Sequence, residues 1–169
     1  MAVPAEQGDV LKGWLSLAET IEKAIDGVAE SDLDLRGGVE GWSIRETVHH
    51  LVEANLIGSN ILIAALANSG CVYDWSWVNP DISWMNRLGY DKAPVAPALQ
   101  TLRTLSEHLA GLIRTHSDGL LREVQLLDAP GAKPHTETVR DLLVEQIEHT
   151  EGHLRTIAET RAGPRALRR

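Results

Sequence analysis

The stretch at residues 42–51 reads Trp42-Ser43-Ile44-Arg45-Glu46-Thr47-Val48-His49-His50-Leu51. Ser43 stands three residues before Glu46, which is the spacing of a capping box, where each side chain accepts a hydrogen bond from a free backbone amide at the start of a helix. The stretch therefore predicts that a helix begins at Ser43 and runs to about Asn68. It also places two adjacent histidines about two turns inside that helix.

Three further segments show apolar residues at steps of three and four, the spacing of one buried helical stripe. They are Asp9–Ala29, the stretch from Pro97 to about His116, and the stretch from Thr138 to about Arg161. No segment shows a competing strand pattern. These observations predict an all-α four-helix bundle with a long crossover between helices two and three.

Size and composition limit the class of protein. The chain has 169 residues, of which 43% are apolar and 24% are charged, the mix of one compact domain. We predict that residues 1–160 form this domain and that the basic tail at residues 161–169 is frayed. The formal charge of −8 argues against nucleic acid as a partner, because proteins that bind it concentrate Lys and Arg on one face.

Sequence features also bear on the compartment. No apolar run reaches the roughly 20 residues that a membrane-spanning helix needs. The first nine residues contain Glu6 and Asp9 and lack the basic and apolar stretches of a secretory signal. The single cysteine, Cys71, cannot form an internal disulfide, so we interpret it as a structural thiol in a reducing compartment. These features predict a cytoplasmic protein with no membrane partner.

The seven histidines differ in their positions on the helical wheel. On helix two, His50 falls at the edge of the apolar stripe, whereas His49 falls on a polar arc that also holds Glu46 and Glu53. We therefore expect His50 to face the bundle. We expect His49 and both carboxylates to face solvent.

The last helix carries His149 and His153 four residues apart, so their rings lie one turn from each other on one inward face. His50 lies about 10 Å from the start of helix two, and His153 lies about 12 Å from the end of the last helix. If these two helices run antiparallel, the three imidazoles are level. Spacing of this kind provides a two-histidine clamp with a third ligand for a transition metal.

Each histidine also has an interpretation without a metal. A single buried imidazole is more often a hydrogen-bonded core residue than a ligand. A pair at a spacing of four can stack on a helix with no ion. Three imidazoles at one level favour a metal site, because burial without a shared ligand would leave polar nitrogens to satisfy.

The stretch at residues 42–51, with its second histidine eight positions after the tryptophan, resembles the helix-two motif of the DinB/YfiT superfamily. A second stretch is similar to the last-helix motif of the same superfamily, and it reads Gln146-Ile147-Glu148-His149-Thr150-Glu151-Gly152-His153-Leu154. The resemblance implies an up-down-down-up bundle, commonly a homodimer, with a divalent metal held by His50, His149 and His153. Members of known activity include transferases and isomerases that use bacillithiol or mycothiol.

Three neutral imidazoles leave a metal ion with open coordination positions, as in catalytic sites. Such an ion lowers the pKa of a bound thiol or water and so generates a nucleophile. We therefore expect a divalent transition metal, Zn or Ni first, with Fe, Cu or Mn as alternatives. The expected enzyme is a thiol S-transferase or a hydrolase acting on a small electrophilic substrate. The alternative is a non-catalytic metal-binding or stress-related dimeric protein.

The segment Ser69–Lys92 lacks periodicity and holds three of the five tryptophans, which predicts a long ordered loop. In the family's topology this crossover returns to the start of helix three at the metal end. We therefore expect Trp84, Met85 and Tyr90 to roof the site and bind substrate.

Overall fold

The computed structural model describes residues 5–37, 41–78 and 80–163. Within these residues the α-helices are α1 (Ala5–Leu15), α2 (Leu17–Ile25), α3 (Ile44–Ala67), α4 (Ile82–Leu88), α5 (Val95–Thr115) and α6 (Val139–Ala162). The strands are β1 (Cys71–Asp74), β2 (Glu123–Leu127) and β3 (His135–Thr138). The class is helical, as predicted, with a small sheet added.

The predicted first helix is divided into α1 and α2. Ser16 interrupts it, and the Ser16 hydroxyl donates to the Gly13 carbonyl at 2.7 Å, the kind of local hydrogen bond that competes with a regular helix. The helix ends at Ile25 rather than Ala29, because Gly27 adopts a φ of 70° that continues no right-handed helix. The predicted capping box is present at Ser43, and a second one, formed by Thr138 and Asp141, begins α6.

Contacts between elements give the directions of the four long helical segments. The α1–α2 pair runs parallel to α6, because Gly13 lies against Ile147 and because Arg161 near the end of α6 donates to the carbonyl of Ala24 near the end of α2. Helices α3 and α5 lead into strands that pair in parallel, so both end at the sheet. Helix α6 starts there, directly after β3. The bundle is therefore up-down-down-up.

Helix α3 forms the centre of the bundle. Leu51 and Leu62 on this helix are buried, and Asn55 accepts a hydrogen bond from the indole of Trp14 on α1 at 3.0 Å. Among the described helices, α3 is long and apolar enough to cross a membrane. However, 56% of its most apolar 18-residue stretch is buried inside the protein, which is typical of a core helix.

A three-stranded sheet closes the end of the bundle away from the histidine pair of α6. Strand β1 pairs in parallel with β2, and β2 pairs antiparallel with β3. The expectation of no strands is wrong in this respect. The missed signal is the alternation in β2, where Val124 and Leu126 are buried between more exposed neighbours.

The crossover also differs from the expected loop, because it contains β1 and α4. Asp81 caps α4 by accepting a hydrogen bond from the Trp84 amide at 2.7 Å, and Gly89 ends it with a φ of 70°. The prediction of a frayed tail falls mainly on residues 164–169, which lie outside the described residues. Arg161 belongs to α6 and is anchored to the carbonyls of Ala24 and Asp26.

Candidate metal centre

Three imidazoles converge where α3 passes α6. The Nε2 atom of His149 lies 3.1 Å from the Nε2 atom of His50 and 3.1 Å from that of His153. One nitrogen from each of the three rings lies within 4.8 Å of the other two. The predicted convergence of His50, His149 and His153 is therefore confirmed as geometry. Two of the rings come from one helix and the third comes from another.

Local structure at the start of α3 holds His50 in place. The carboxylate of Glu46 accepts two hydrogen bonds from Arg36, at 2.7 and 2.9 Å, and a third from the Ser43 amide at 2.7 Å. Arg45 on the same turn donates to Asp34 at 2.8 Å. These bonds tie the first turn of α3 to the preceding segment, so the position of the next turn, which carries His50, is determined.

Trp42 packs against two of the three rings. Its ring is nearly parallel to that of His153, with 13° between the planes and 5.6 Å between the centroids. It is tilted by 57° to the ring of His50, at 4.7 Å. Trp42 is only 8% exposed. This side chain therefore restricts the motion of both imidazoles.

Burial keeps the rings in the form that can bind a cation. It lowers the pKa of His50 to about 3, with a further contribution from the neighbouring His149 and His153. Burial also lowers the pKa of His153. A neutral imidazole offers a lone pair, whereas a protonated one does not. Both rings are therefore prepared to act as ligands near neutral pH.

The nitrogens fit a divalent transition metal. Each neutral Nε2 is either a donor or an acceptor, and the single Nε2 of His149 faces two others at 3.1 Å. One hydrogen or one lone pair cannot satisfy both neighbours in good geometry. An ion about 2.0–2.1 Å from each nitrogen would use all three lone pairs, and those bond lengths put the nitrogens about 3 Å apart.

A cavity and a more open cleft both border the imidazoles, and His50 and His149 line both. The cavity has a volume of about 350 Å³, within the usual range for small-molecule sites. Besides the two histidines, it is lined by Glu53, Ala54, Ile57, Gly58, Ile61, Leu62, Trp75, Val78, Pro80, Leu126, Leu142, Glu145 and Gln146. The cleft is completed by Trp42, Pro80, Asp81, Ile82 and His153.

The crossover covers the site with residues other than those predicted. The cavity and cleft are lined by residues 75, 78 and 80–82 of this segment, and by none of Trp84, Met85 and Tyr90. Trp84 instead donates from Nε1 to Glu53 Oε1 at 2.8 Å, and Met85 is fully buried. Their role in substrate binding stays a prediction, and Trp84 is connected to the cavity only through its hydrogen bond to the lining residue Glu53.

The expectation that His49 faces solvent is wrong. Its side chain is 7% exposed, and its Nε2 donates to the carbonyl of Ala93 at 3.1 Å. The ring stacks on Tyr90 with centroids 4.8 Å apart. Burial lowers the pKa of His49, and the charge of Arg45 adds to this effect. The helical wheel failed here because the crossover packs on the polar side of α3.

The two carboxylates that were expected in solvent, Glu46 and Glu53, are also removed from it wholly or in part. Glu46 is fully buried in its ion pair with Arg36. Glu53 is half-buried beside the cavity, and burial raises its pKa, against the lowering effect of hydrogen bonds from Trp84 and Tyr90. Burial also raises the pKa of Tyr90 to about 12, helped by the charge of Glu53. Sequence reasoning missed Glu53 and Gln146 as residues of the site. The signal was their helical spacing from His50 and His149.

Comparison with known proteins agrees with this geometry. The family model described as the DinB superfamily matches residues 16–157. The chain belongs to the DinB superfamily. No curated protein sequence matches this DinB chain. Among solved structures it is similar to YfiT from Bacillus subtilis, described as a probable metal-dependent hydrolase with an unusual four-helix bundle topology. The identity is 20% and the TM-score 0.79, over 95% of this chain and 89% of the other, which shows a shared fold.

Proposed function

We propose that this protein is a metal-dependent enzyme that activates a low-molecular-weight thiol for attack on a small electrophile. The observation that carries the proposal is the meeting of three Nε2 atoms beside a cavity of about 350 Å³. A divalent ion held there would lower the pKa of a thiol or water molecule beside it, which supplies a nucleophile near neutral pH. Zinc or nickel is the expected ion, with iron, copper or manganese as alternatives.

The residues of the chain supply holding and orientation. His50, His149 and His153 are the proposed ligands, and Trp42 restricts the motion of two of them. His50 and His149 line both the cavity and the cleft, so each space offers room for a reactant beside these two ligands. In the proposed reaction the thiol loses its proton to solvent, its sulfur forms a bond to the electrophilic carbon, and the leaving group departs with the electron pair.

Hydrolysis is the second candidate function. The structural similarity to YfiT, which is described as a probable metal-dependent hydrolase, favours it. It would use the same three histidines and the same cavity, with water in place of the thiol. The two candidates differ in whether a thiol is consumed, so one assay separates them. A homodimer and a small-molecule partner remain proposals in either case.

The first experiment is elemental analysis of protein purified without a histidine tag. We expect one divalent transition metal ion per chain, lost in His50→Ala and in His149→Ala. His108→Ala is the matched control, because His108 is exposed on α5 and distant in sequence from the three rings. Wild-type protein that binds no transition metal after incubation with zinc or nickel would contradict the proposal.

The second experiment measures turnover. Metal-loaded protein is mixed with monochlorobimane or chlorodinitrobenzene and with bacillithiol, mycothiol or glutathione, and the free thiol is followed. Thiol loss that disappears in His153→Ala and persists in His108→Ala would support the transferase. Metal binding without thiol loss, but with cleavage of ester or amide probes, would support the hydrolase. Neither activity would leave the non-catalytic metal-binding alternative.

A further inference from the structure

The cavity beside the histidines has a distinctive composition. Most of its lining residues are aliphatic, among them Ala54, Ile57, Ile61, Leu62 and Leu142. Apart from the histidines, the aromatic residue in the lining is Trp75. No Lys or Arg occurs among its lining residues, whereas Glu53 and Glu145 do. A negatively charged ligand would therefore meet the half-buried carboxylate of Glu53 and the more exposed one of Glu145, with no compensating cation among the lining residues. An apolar ligand without negative charge fits this wall.

Two oxygen atoms beside the cavity lack hydrogen-bond partners. Glu53 Oε2 and Gln146 Oε1 are shielded from water, and neither accepts a hydrogen bond of good geometry from the described residues, although the Tyr90 hydroxyl also interacts with the Glu53 carboxylate. The other Glu53 oxygen is occupied by the indole of Trp84. His50 Nδ1 is the third such atom, and it belongs to the proposed ligand set. Buried polar atoms are nearly always paired in native proteins, so two acceptors left open beside one cavity indicate a bound donor.

We propose that the cavity binds a small apolar molecule that carries a protonated amine, with the amine directed to Glu53 and Gln146. The ammonium group supplies three donors and a positive charge, which matches two open acceptors and the nearby carboxylates. The apolar part lies against the aliphatic wall. This inference rests on the proposed function in one respect, that the bound molecule is the substrate whose other end lies toward His50 and His149.

The experiment compares three ligands of equal chain length, hexylamine, hexanol and hexanoate, by isothermal titration calorimetry near neutral pH. Metal-free and zinc-loaded full-length protein are both used. We expect hexylamine to bind at least about tenfold more tightly than hexanoate, with hexanol between them. The preference is expected in the metal-free protein as well, because it comes from Glu53 and Gln146. Equal binding of hexanoate, or an amine preference that appears only with zinc, would overturn the proposal.

Variants locate the binding. Glu53→Gln keeps an oxygen for the Trp84 indole and removes the charge, so hexylamine should lose its advantage over hexanol. Glu151→Gln is the matched control, because Glu151 is exposed on α6 and does not line the cavity. Gln146→Leu provides a second route if Glu53→Gln fails to fold, and the same loss of preference is expected. Ala54→Leu narrows the cavity and should weaken all three ligands. An amine preference that survives both Glu53→Gln and Gln146→Leu would overturn the assignment.

Failure of this inference can be distinguished from failure of the proposed function. Protein that binds metal and consumes thiol, but shows no preference for hexylamine, keeps the enzyme and loses the amine site. Protein that binds hexylamine through Glu53, but holds no metal, keeps the amine site and loses the enzyme. The metal-free titration therefore tests the cavity alone.

Discussion

The ring of Trp42 lies parallel to the ring of His153, with 13° between the planes and 5.6 Å between the centroids. Trp42 comes directly before the capping residue of α3, whereas His153 lies in the second half of α6. The contact thus links the start of one helix to a proposed ligand on another. It restricts the orientation of the His153 imidazole, whose Nε2 atom has to point toward the Nε2 atoms of His50 and His149 if the three are to share a metal ion.

We expect Trp42→Leu to weaken zinc binding by about tenfold, the lower end of what residues that orient metal ligands contribute. Leucine keeps apolar volume beside the histidines but removes the ring that stacks on His153. Trp42→Phe keeps a ring and should bind zinc close to the wild-type value. Zinc affinity is measured by competition with a chromophoric chelator, on variants whose circular dichroism shows a folded protein. Equal affinities in the leucine and phenylalanine variants would contradict an orienting role.

We expect the metal-free protein to lose stability as the pH falls below about 6.5. The pKa of His50 is lowered to about 3 in the folded protein, so between these values the unfolded chain binds a proton there that the folded chain does not. The free energy of unfolding should therefore decrease by up to about 1.4 kcal/mol per pH unit from this group, with a further decrease from His153. Urea unfolding at several pH values measures this slope.

His50→Gln and His108→Gln test whether His50 causes this pH dependence of the unfolding free energy. The first removes the group with the lowered pKa, so the pH dependence should become shallower even if the variant is less stable at neutral pH. The second removes an exposed histidine and should leave the slope unchanged. A slope that is the same in His50→Gln and wild type would show that the ring is not held neutral by burial.

We expect Arg36→Ala to destabilise the protein by about 2 kcal/mol, because it leaves the buried carboxylate of Glu46 without its bidentate partner. The partial exposure of Arg36 keeps the figure below that of a fully buried pair. Arg103→Ala is the comparison, since Arg103 and Glu22 form a pair of which both members are well exposed. Its cost should be below about 1 kcal/mol. Urea unfolding measures the loss of stability in both variants. Similar losses would contradict the conclusion that the buried carboxylate of Glu46 depends on Arg36.

We expect His49→Ala to leave the metal content unchanged and to destabilise the protein by about 1–3 kcal/mol. The ring of His49 donates to the Ala93 carbonyl and stacks on Tyr90, so it holds the crossover against α3 and takes no part in the histidine cluster. Elemental analysis and urea unfolding of the same preparation test both parts. Loss of metal in His49→Ala at full stability would reverse the assignment of the two adjacent histidines.

Much of this architecture could be predicted from short-range pattern. The capping pairs Ser43 with Glu46 and Thr138 with Asp141 mark where α3 and α6 begin, because each pair satisfies backbone amides within one turn. Measured from the start of α3 and from the predicted end of α6, the rise per residue puts His50 level with His153 when the two helices run antiparallel, and the structure confirms their approach. Helical geometry is regular, so distances along one axis follow directly from residue numbers.

The burial of His49, Glu46 and Glu53 could not be predicted from capping pairs and helical geometry. The wheel assigns a face by polarity, and it assumes that the polar face of α3 meets water. The crossover packs there instead, and Ala93, Tyr90 and Trp84 provide the hydrogen bonds and ring contacts that make burial of His49 and Glu53 possible. Arg36, which precedes α3, does the same for Glu46.

The sequence by itself determined the four long helical segments, the caps of α3 and α6 and the position of each histidine along its own helix, because each depends on contacts within a few residues. Only the tertiary structure decided the sheet, the covering of the polar side of α3 and the cavity with its open acceptors. Strand β1 pairs with β2 more than 50 positions later in the chain, as in Cys71 with Val124. The cavity is likewise lined from α3, the crossover, β2 and α6. Such contacts depend on how separate elements pack, and no local periodicity encodes that.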